Sequence, residues 1–176
     1  MMRAFCAVIF LVAAVESALA GGPLVATENE LTSFVATRAP WNLVWPLCAD
    51  IRAGFGLRVD TLTGKAAFHG GVDIGSEFGL KVRAAAAGRV AAAERRGPYG
   101  LLVEIDHGDG RFTRYAQLQS ALVAPGMVVA ANDVIATVGA SGRAKDPHLH
   151  FEVWDNGRPK DPQKVVEGSC VLREGK

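Results

Sequence analysis

The chain is poor in the residues that carry thiolate and redox chemistry. Three of its 176 residues are cysteine, and Cys6, Cys48 and Cys170 stand far apart. None has a second Cys or a His at ligand spacing, which argues against a thiolate zinc site. An excess of charge is missing too. Nineteen basic against eighteen acidic residues give a net charge of +1, which excludes the strongly basic field of a nucleic-acid binder. There is no phosphate-binding glycine loop, no nucleic-acid motif and no low-complexity segment. Beyond Trp45 no 3.6-residue periodicity is sustained, which argues against a helical bundle. Nor does any later apolar run approach the roughly 20 residues that cross a bilayer, so no membrane span is expected in the mature chain.

What is present begins with a leader. Arg3 supplies a positive start, Ala4 to Val15 is uncharged and apolar, and Ala18-Leu19-Ala20 forms an Ala-x-Ala cleavage signature before Gly21. Residues 1–20 therefore read as a secretory signal peptide. The chain is expected to be secreted, and the absence of a wall-binding repeat points to the periplasm. Removal of the leader takes Arg3 and Glu16 and leaves the charge balance unchanged. Residues 21–44 read as a lead-in or linker, with a short helix over Glu28 to Ala36 capped by Thr27. Residues 45–170 read as the domain and 171–176 as a tail. Cys48 and Cys170 lie near the two ends of that domain, and in an oxidising compartment they are expected to form a disulfide.

The domain is punctuated by glycine. Trp45-Pro46-Leu47 is expected to enter the first strand, and Gly54 to Asp60 reads as a strand bending through glycines. Thr61 to Lys65 is a turn. Leu80 to Ala86 and Arg89 to Ala93 flank Ala87-Gly88; their alanines favour helix, but Val82, Gly88 and Val90 favour strand-turn-strand. Leu101 to Asp106 and Arg111 to Gln117 flank His107-Gly108-Asp109-Gly110, a hairpin signal. Met127 to Val129 and Val134 to Val138 follow. Pro159 to Pro162 reads as a turn. Many short strands with regular turn signals predict a small antiparallel all-β domain.

The chemistry-bearing stretch is Asp146-Pro147-His148-Leu149-His150-Phe151-Glu152-Val153. In a strand, residues i and i+2 share a face. His148 and His150 then project together, with Leu149 and Phe151 behind them. His69 and Asp73 are four apart, but Gly70-Gly71 between them forbids a good helix. A looped segment could fold both inward; equally, His69 could bond a turn and Asp73 could cap one. His69, Asp73 and His150 together would make a two-imidazole, one-carboxylate set. Catalytic zinc takes three protein ligands and keeps a position for water, whose pKa it lowers to about 7. Manganese and iron accept such a set too. His148 would stand beside the open position as general base or electrostatic stabiliser.

These residues carry a resemblance. His69-Gly70-Gly71-Val72-Asp73, with Gly54-Phe55-Gly56-Leu57-Arg58 before it and Tyr99-Gly100, Ile105-Asp106-His107-Gly108 and Pro147-His148-Leu149-His150-Phe151-Glu152 after it, resembles the lysostaphin-type (LytM-like) zinc endopeptidases. The match runs from about Trp45 to Pro162. It implies a small antiparallel β domain, one zinc ion, and hydrolysis of peptide bonds in bacterial peptidoglycan. It also implies His69, Asp73 and His150 as zinc ligands and His148 as a catalytic histidine. The chain departs from that family at one point. Where the family has Tyr-x-His-Leu, with the histidine aiding catalysis, this chain reads Tyr115-Ala116-Gln117-Leu118. A glutamine donates a hydrogen bond but cannot shuttle a proton, and loss of an acid/base group costs about a hundredfold to ten-thousandfold. Gln117 and Tyr115 are the expected donors to the tetrahedral intermediate. His107 sits at the hairpin turn, roughly 20 Å along a strand from Gln117 at about 3.3 Å per residue, and is expected to be structural. The resemblance leaves two readings: a zinc peptidase acting on peptidoglycan peptides, and a LytM-like regulator that binds or activates a cell-wall amidase.

Overall fold

The structure, a computed structural model, describes residues 41–60 and 63–168. The leader, the lead-in helix, Thr61-Leu62 of the turn, Cys170 and the tail lie outside the described residues. The expected β character holds. The strands are β1 (Ile51–Ala53), β2 (Gly56–Val59), β3 (Ala66–His69), β4 (Val72–Gly75), β5 (Lys81–Arg83), β6 (Gly88–Arg95), β7 (Leu101–Asp106), β8 (Arg111–Ala121), β9 (Val128–Val129), β10 (Val134–Val138), β11 (His148–Asp155) and β12 (Arg158–Lys160). A 3₁₀ turn spans Gly97–Tyr99, and a single helical turn, α1, spans Pro162–Val165. No helix among the described residues is long and apolar enough to cross a membrane.

Ten strands form one antiparallel sheet whose main path runs β1-β4-β11-β8-β7-β6-β9. β12 continues β11 through Asn156-Gly157, both at positive φ, the conformation a two-residue hairpin turn requires. β10 pairs with β5 and with the far end of β8. β2 and β3 make a separate two-stranded ribbon. β8 is the spine. Its first half lies between β7 and β11, and its second half leaves them for β10. The alternation expected of β11 is observed, with Leu149, Phe151 and Val153 fully buried in the core and His148 and His150 on the other face. Val72 and Ile74, Val103 and Ile105, and Tyr115 fill the same core.

Several boundaries differ from expectation. Trp45 to Leu47 forms no strand; β1 starts at Ile51. His69 and Asp73 sit at a strand end and within a strand, not in a loop, because β3 pairs with β2 while β4 pairs with β1 and β11. The turn expected at Pro159 to Pro162 is instead strand β12 followed by α1, with the Asp161 carboxylate accepting from the N–H of Gln163 as cap. Leu43, assigned above to the lead-in, is buried and bridges in parallel to Val166. Cys48 is disulfide-bonded.

The turn between β3 and β4 is a tight constraint near the histidines. A Cβ added at Gly71 would lie 2.2 Å from the carbonyl oxygen of Phe151 and 2.9 Å from Glu152 Cγ. Gly71 thus lets the chain pass directly against β11 and sets Asp73 opposite His150. Gly71→Ala is expected to cost about 1–3 kcal/mol, the usual range for overpacking. A shift of the urea midpoint measures it; an unshifted midpoint would show that this approach is not tight.

Candidate metal centre

Three elements deliver three ligand atoms to one point. β3 ends on His69, β4 carries Asp73, and β11 carries His150 directly opposite Asp73 in register. Asp73 Oδ1 lies 2.8 Å from His150 Nδ1 and 3.1 Å from His69 Nε2, and the two imidazole nitrogens are 3.1 Å apart. His69 and His150 are buried, and Asp73 is nearly so. The structure therefore brings the expected His69, Asp73 and His150 together.

The outer nitrogens decide the protonation of the inner ones. His69 Nδ1 lies 2.7 Å from the carbonyl oxygen of Gly54, which can only accept, so Nδ1 carries the hydrogen and Nε2 presents a lone pair. His150 Nε2 lies 3.0 Å from Glu152 Oε1. A carboxylate there makes Nε2 the donor and leaves Nδ1 bare. Burial pushes the Glu152 carboxyl up, but hydrogen bonds from His150, Trp154 and Tyr99 outweigh it and hold the group below its ordinary range. With His150 neutral, two bare nitrogens and a carboxylate oxygen would face one another with no hydrogen between them. Lone pairs so close repel unless a cation joins them. Burial likewise opposes ionisation of Asp73, yet the bonds to His150 and His69 hold it well below the carboxylate range. Burial also disfavours a charged His150, but Asp73 and Glu152 push it up to about 9. The site demands positive charge, and its donor set, two imidazoles and a carboxylate, fits a first-row divalent ion.

Around these ligands stands a supporting shell whose members Arg58, Tyr99 and Glu152 lie in the motifs quoted above but were given no role there. Tyr99, on the 3₁₀ turn, donates to Glu152 Oε1 at 2.9 Å, and Trp154 Nε1 donates to Oε2 at 2.6 Å. Arg114 reaches Glu152 at 3.4 Å, bonds Glu104 and lies 4.5 Å over the Trp154 ring. Arg58 Nη2 reaches the other Asp73 oxygen at 3.4 Å. Glu152 was within reach of the strand argument, since it is two residues beyond His150 and shares its face. Tyr99, 53 residues away, left no such signal.

The remaining expected site residues divide. His148 lines the same groove, of about 460 Å³, with Nε2 3.8 Å from Asp73 Oδ1. Its Nδ1 donates to the carbonyl of Asp146 at 2.8 Å, so its Nε2 is free to accept a proton. Gln117 lines the groove as well. It adopts φ 58° within a bulge of β8, where three residues of β8 span the step that two of β7 make. Its Oε1 is buried and, among the described residues, has no hydrogen-bond partner. Tyr115 is a correction. It is fully buried on the core face, against Phe151 at 5.4 Å, and is absent from the groove. Its hydroxyl accepts from the N–H of Ala85 at 2.8 Å and donates to Thr113, whose hydroxyl donates to His107 Nε2 at 2.7 Å. Burial raises the Tyr115 hydroxyl to about 12. The reason is the bulge: in an unbroken strand Tyr115 and Gln117 would share a face, and the positive φ turns Gln117 away to the groove. His107, as expected, is structural. Its Nδ1 donates to the carbonyl of Ala87, and burial lowers its basicity.

An antiparallel sheet that gathers two imidazoles and a carboxylate on one face, beside a third histidine, defines a β domain with a candidate metal site. The chain belongs to peptidase family M23, whose sequence profile matches residues 67–162. It is 38% identical over 116 residues to the DD-carboxypeptidase/endopeptidase Mpg of Neisseria meningitidis, covering 66% of this chain and 27% of that protein. It is 39% identical over 119 residues to the murein hydrolase activator EnvC of Escherichia coli, covering 68% of this chain and 27% of that protein. The chain thus spans about a quarter of the length of either curated relative. Among solved structures it is similar to a zinc-containing peptidase from Vibrio cholerae, at a TM-score of 0.64 and 32% identity over 76% of this chain and 41% of that one.

The Glu152 carboxylate sets the tautomer of His150, and outer partners of this kind typically carry about a 10–100-fold effect on metal affinity. Glu152→Gln is therefore expected to weaken zinc binding within that range in competition with a chromophoric chelator. Unchanged affinity would remove Glu152 from the centre.

Proposed function

We propose that this chain is a secreted, periplasmic, zinc-dependent endopeptidase that hydrolyses peptide bonds of bacterial peptidoglycan. The observation that carries this reading is the convergence of His69 Nε2, Asp73 Oδ1 and His150 Nδ1, all within 4.8 Å of one another, beside an accepting nitrogen of His148. Those three atoms would hold the ion. When bound, zinc acidifies a water and polarises a carbonyl. His148, oriented by the Asp146 carbonyl, takes the proton of the attacking water and returns it to the leaving amine. Gln117 offers its side-chain amide to the carbonyl oxygen as charge develops there. Tyr99 keeps Glu152 in place, and Glu152 keeps His150 in its tautomer. The relatives named as endopeptidases and the zinc-containing structural neighbour support the substrate class and the metal.

A second reading rests on one residue. Gln117 cannot move a proton, and the chain is about as similar to an activator of murein hydrolases as to an endopeptidase. On that reading the same groove binds or activates a cell-wall amidase. The complete ligand set, which a scaffold has no need to keep, favours the endopeptidase over it.

The two readings separate in one experiment. Residues 21–176, loaded with zinc, are incubated with purified peptidoglycan with and without a chelator. Release of peptide fragments that the chelator stops is the expected result. No release from folded, zinc-occupied protein across several wall types would move the assignment to the activator. Gln117→His is expected to raise the rate by roughly tenfold or more, restoring an acid/base group at that position. His tolerates positive φ better than most residues, so the bulge should accept it. An unchanged rate with zinc still bound would deny Gln117 a place beside the reacting carbonyl.

A further inference from the structure

Arg52 is the one residue of β1 without a cross-strand partner. Ile51 stands opposite Ile74 and Ala53 opposite Asp73, so Arg52 is the extra residue of a bulge. Bulges re-aim side chains and recur beside active sites. Here the bulge turns Arg52 across the groove face of β4, over Gly75. A Cβ on Gly75 would lie 2.0 Å from Arg52 Nε, 2.6 Å from its Cδ and 2.8 Å from its Cγ. Any side chain at position 75 would displace the arginine. Gly75 is itself the register partner of His148. The missing side chain therefore makes a channel that carries the guanidinium from the sheet edge to the His148 side of the groove, which both residues line.

The guanidinium arrives there uncommitted. Arg58 is paired with Asp73, and Arg143 is paired with Asp60 at 2.7 Å. Arg52 has no ion pair among the described residues, although carboxylates line the same groove. Lys145 is the other unpaired cation there, but it stands on an exposed loop, whereas Arg52 is held by the sheet. An arginine needed only for solubility requires neither a bulge nor a glycine beneath it.

We infer that Arg52 is a specificity-determining residue: together with the Gly75 channel it forms a carboxylate-binding subsite that holds an acidic residue of the peptide next to the bond facing His148. The ligand class is an acidic peptide, whose planar carboxylate a guanidinium fork can grip with two hydrogen bonds. That the peptide is cut beside this subsite rests on the endopeptidase reading; the subsite itself rests on the sheet geometry alone.

Its test compares two synthetic cross-linked stem peptides, identical except that the carboxylates flanking the scissile position are free in one and amidated in the other. For binding, the scissile amide is replaced by a ketomethylene so that nothing is cut. Calorimetry on zinc-loaded protein should show roughly a tenfold preference or more for the free-carboxylate peptide, the scale of a charge-assisted pair. Arg52→Gln should abolish that preference by weakening the acidic peptide alone, and Arg52→Lys should restore part of it. Arg52 is exposed, so its replacement leaves the core intact. A preference that survives in Arg52→Gln, or wild-type protein that binds both peptides equally or neither, overturns the subsite. Cleavage of the ordinary amide peptides is scored separately. Preference without cleavage refutes the hydrolase and keeps the subsite; cleavage without preference does the reverse.

Discussion

The structure depends on a part-buried carboxylate oxygen that two imidazoles share. Asp73 Oδ1 lies within hydrogen-bond distance of His69 Nε2 and His150 Nδ1, while the opposite nitrogen of each ring is already committed as a donor. Three lone pairs in a low-dielectric pocket are unfavourable without positive charge. In the absence of metal a proton on His150 serves, which is why that ring is pushed up to about 9 against the cost of its burial. A divalent ion meets the same demand more completely. The polar shell on the groove side follows from it. Glu152 is placed to accept from His150, Tyr99 and Trp154 to hold Glu152, Arg114 to balance its charge, and Arg58 to occupy the second oxygen of Asp73.

The sheet supplies this arrangement through local irregularities. β4 and β11 are regular where the ligands face each other, so His150 and Asp73 are direct partners. The flanking strands are bulged. β8 bulges at Gln117 and turns that side chain into the groove, and β1 bulges at Arg52 and turns that one in from the far side. Core face and groove face therefore serve different ends along the same strands. Leu149, Phe151 and Tyr115 pack the interior while their neighbours bind and react.

What could be read from the sequence follows the range of each physical rule. Period-two alternation placed His148 and His150 on one face and Leu149 and Phe151 on the other, and turn chemistry located the β7–β8 hairpin. Both rules act over a few residues. The union of His69, Asp73 and His150 spans 81 residues, and the ligand types together with the resemblance carried that step. Alternation failed where a strand bulges. An unbroken period of two would put Tyr115 beside Gln117, but one residue at positive φ sends the pair to opposite faces. Alternation gave no hint of Tyr99, whose role arises from a contact across the fold. The β3–β4 segment read as a loop because glycines mark turns, and no local rule tells which of two different sheets each flank will join.

The most direct test of the account is the metal content and coordination of the purified chain. Elemental analysis should find one zinc per molecule, and X-ray absorption should show nitrogen and oxygen neighbours with no sulfur. His150→Ala and Asp73→Ala should each lose the ion while keeping the far-ultraviolet signature of the sheet. Wild-type protein that stays metal-free after dialysis against zinc, or variants that retain full occupancy, would contradict the claim that these three side chains form a metal centre.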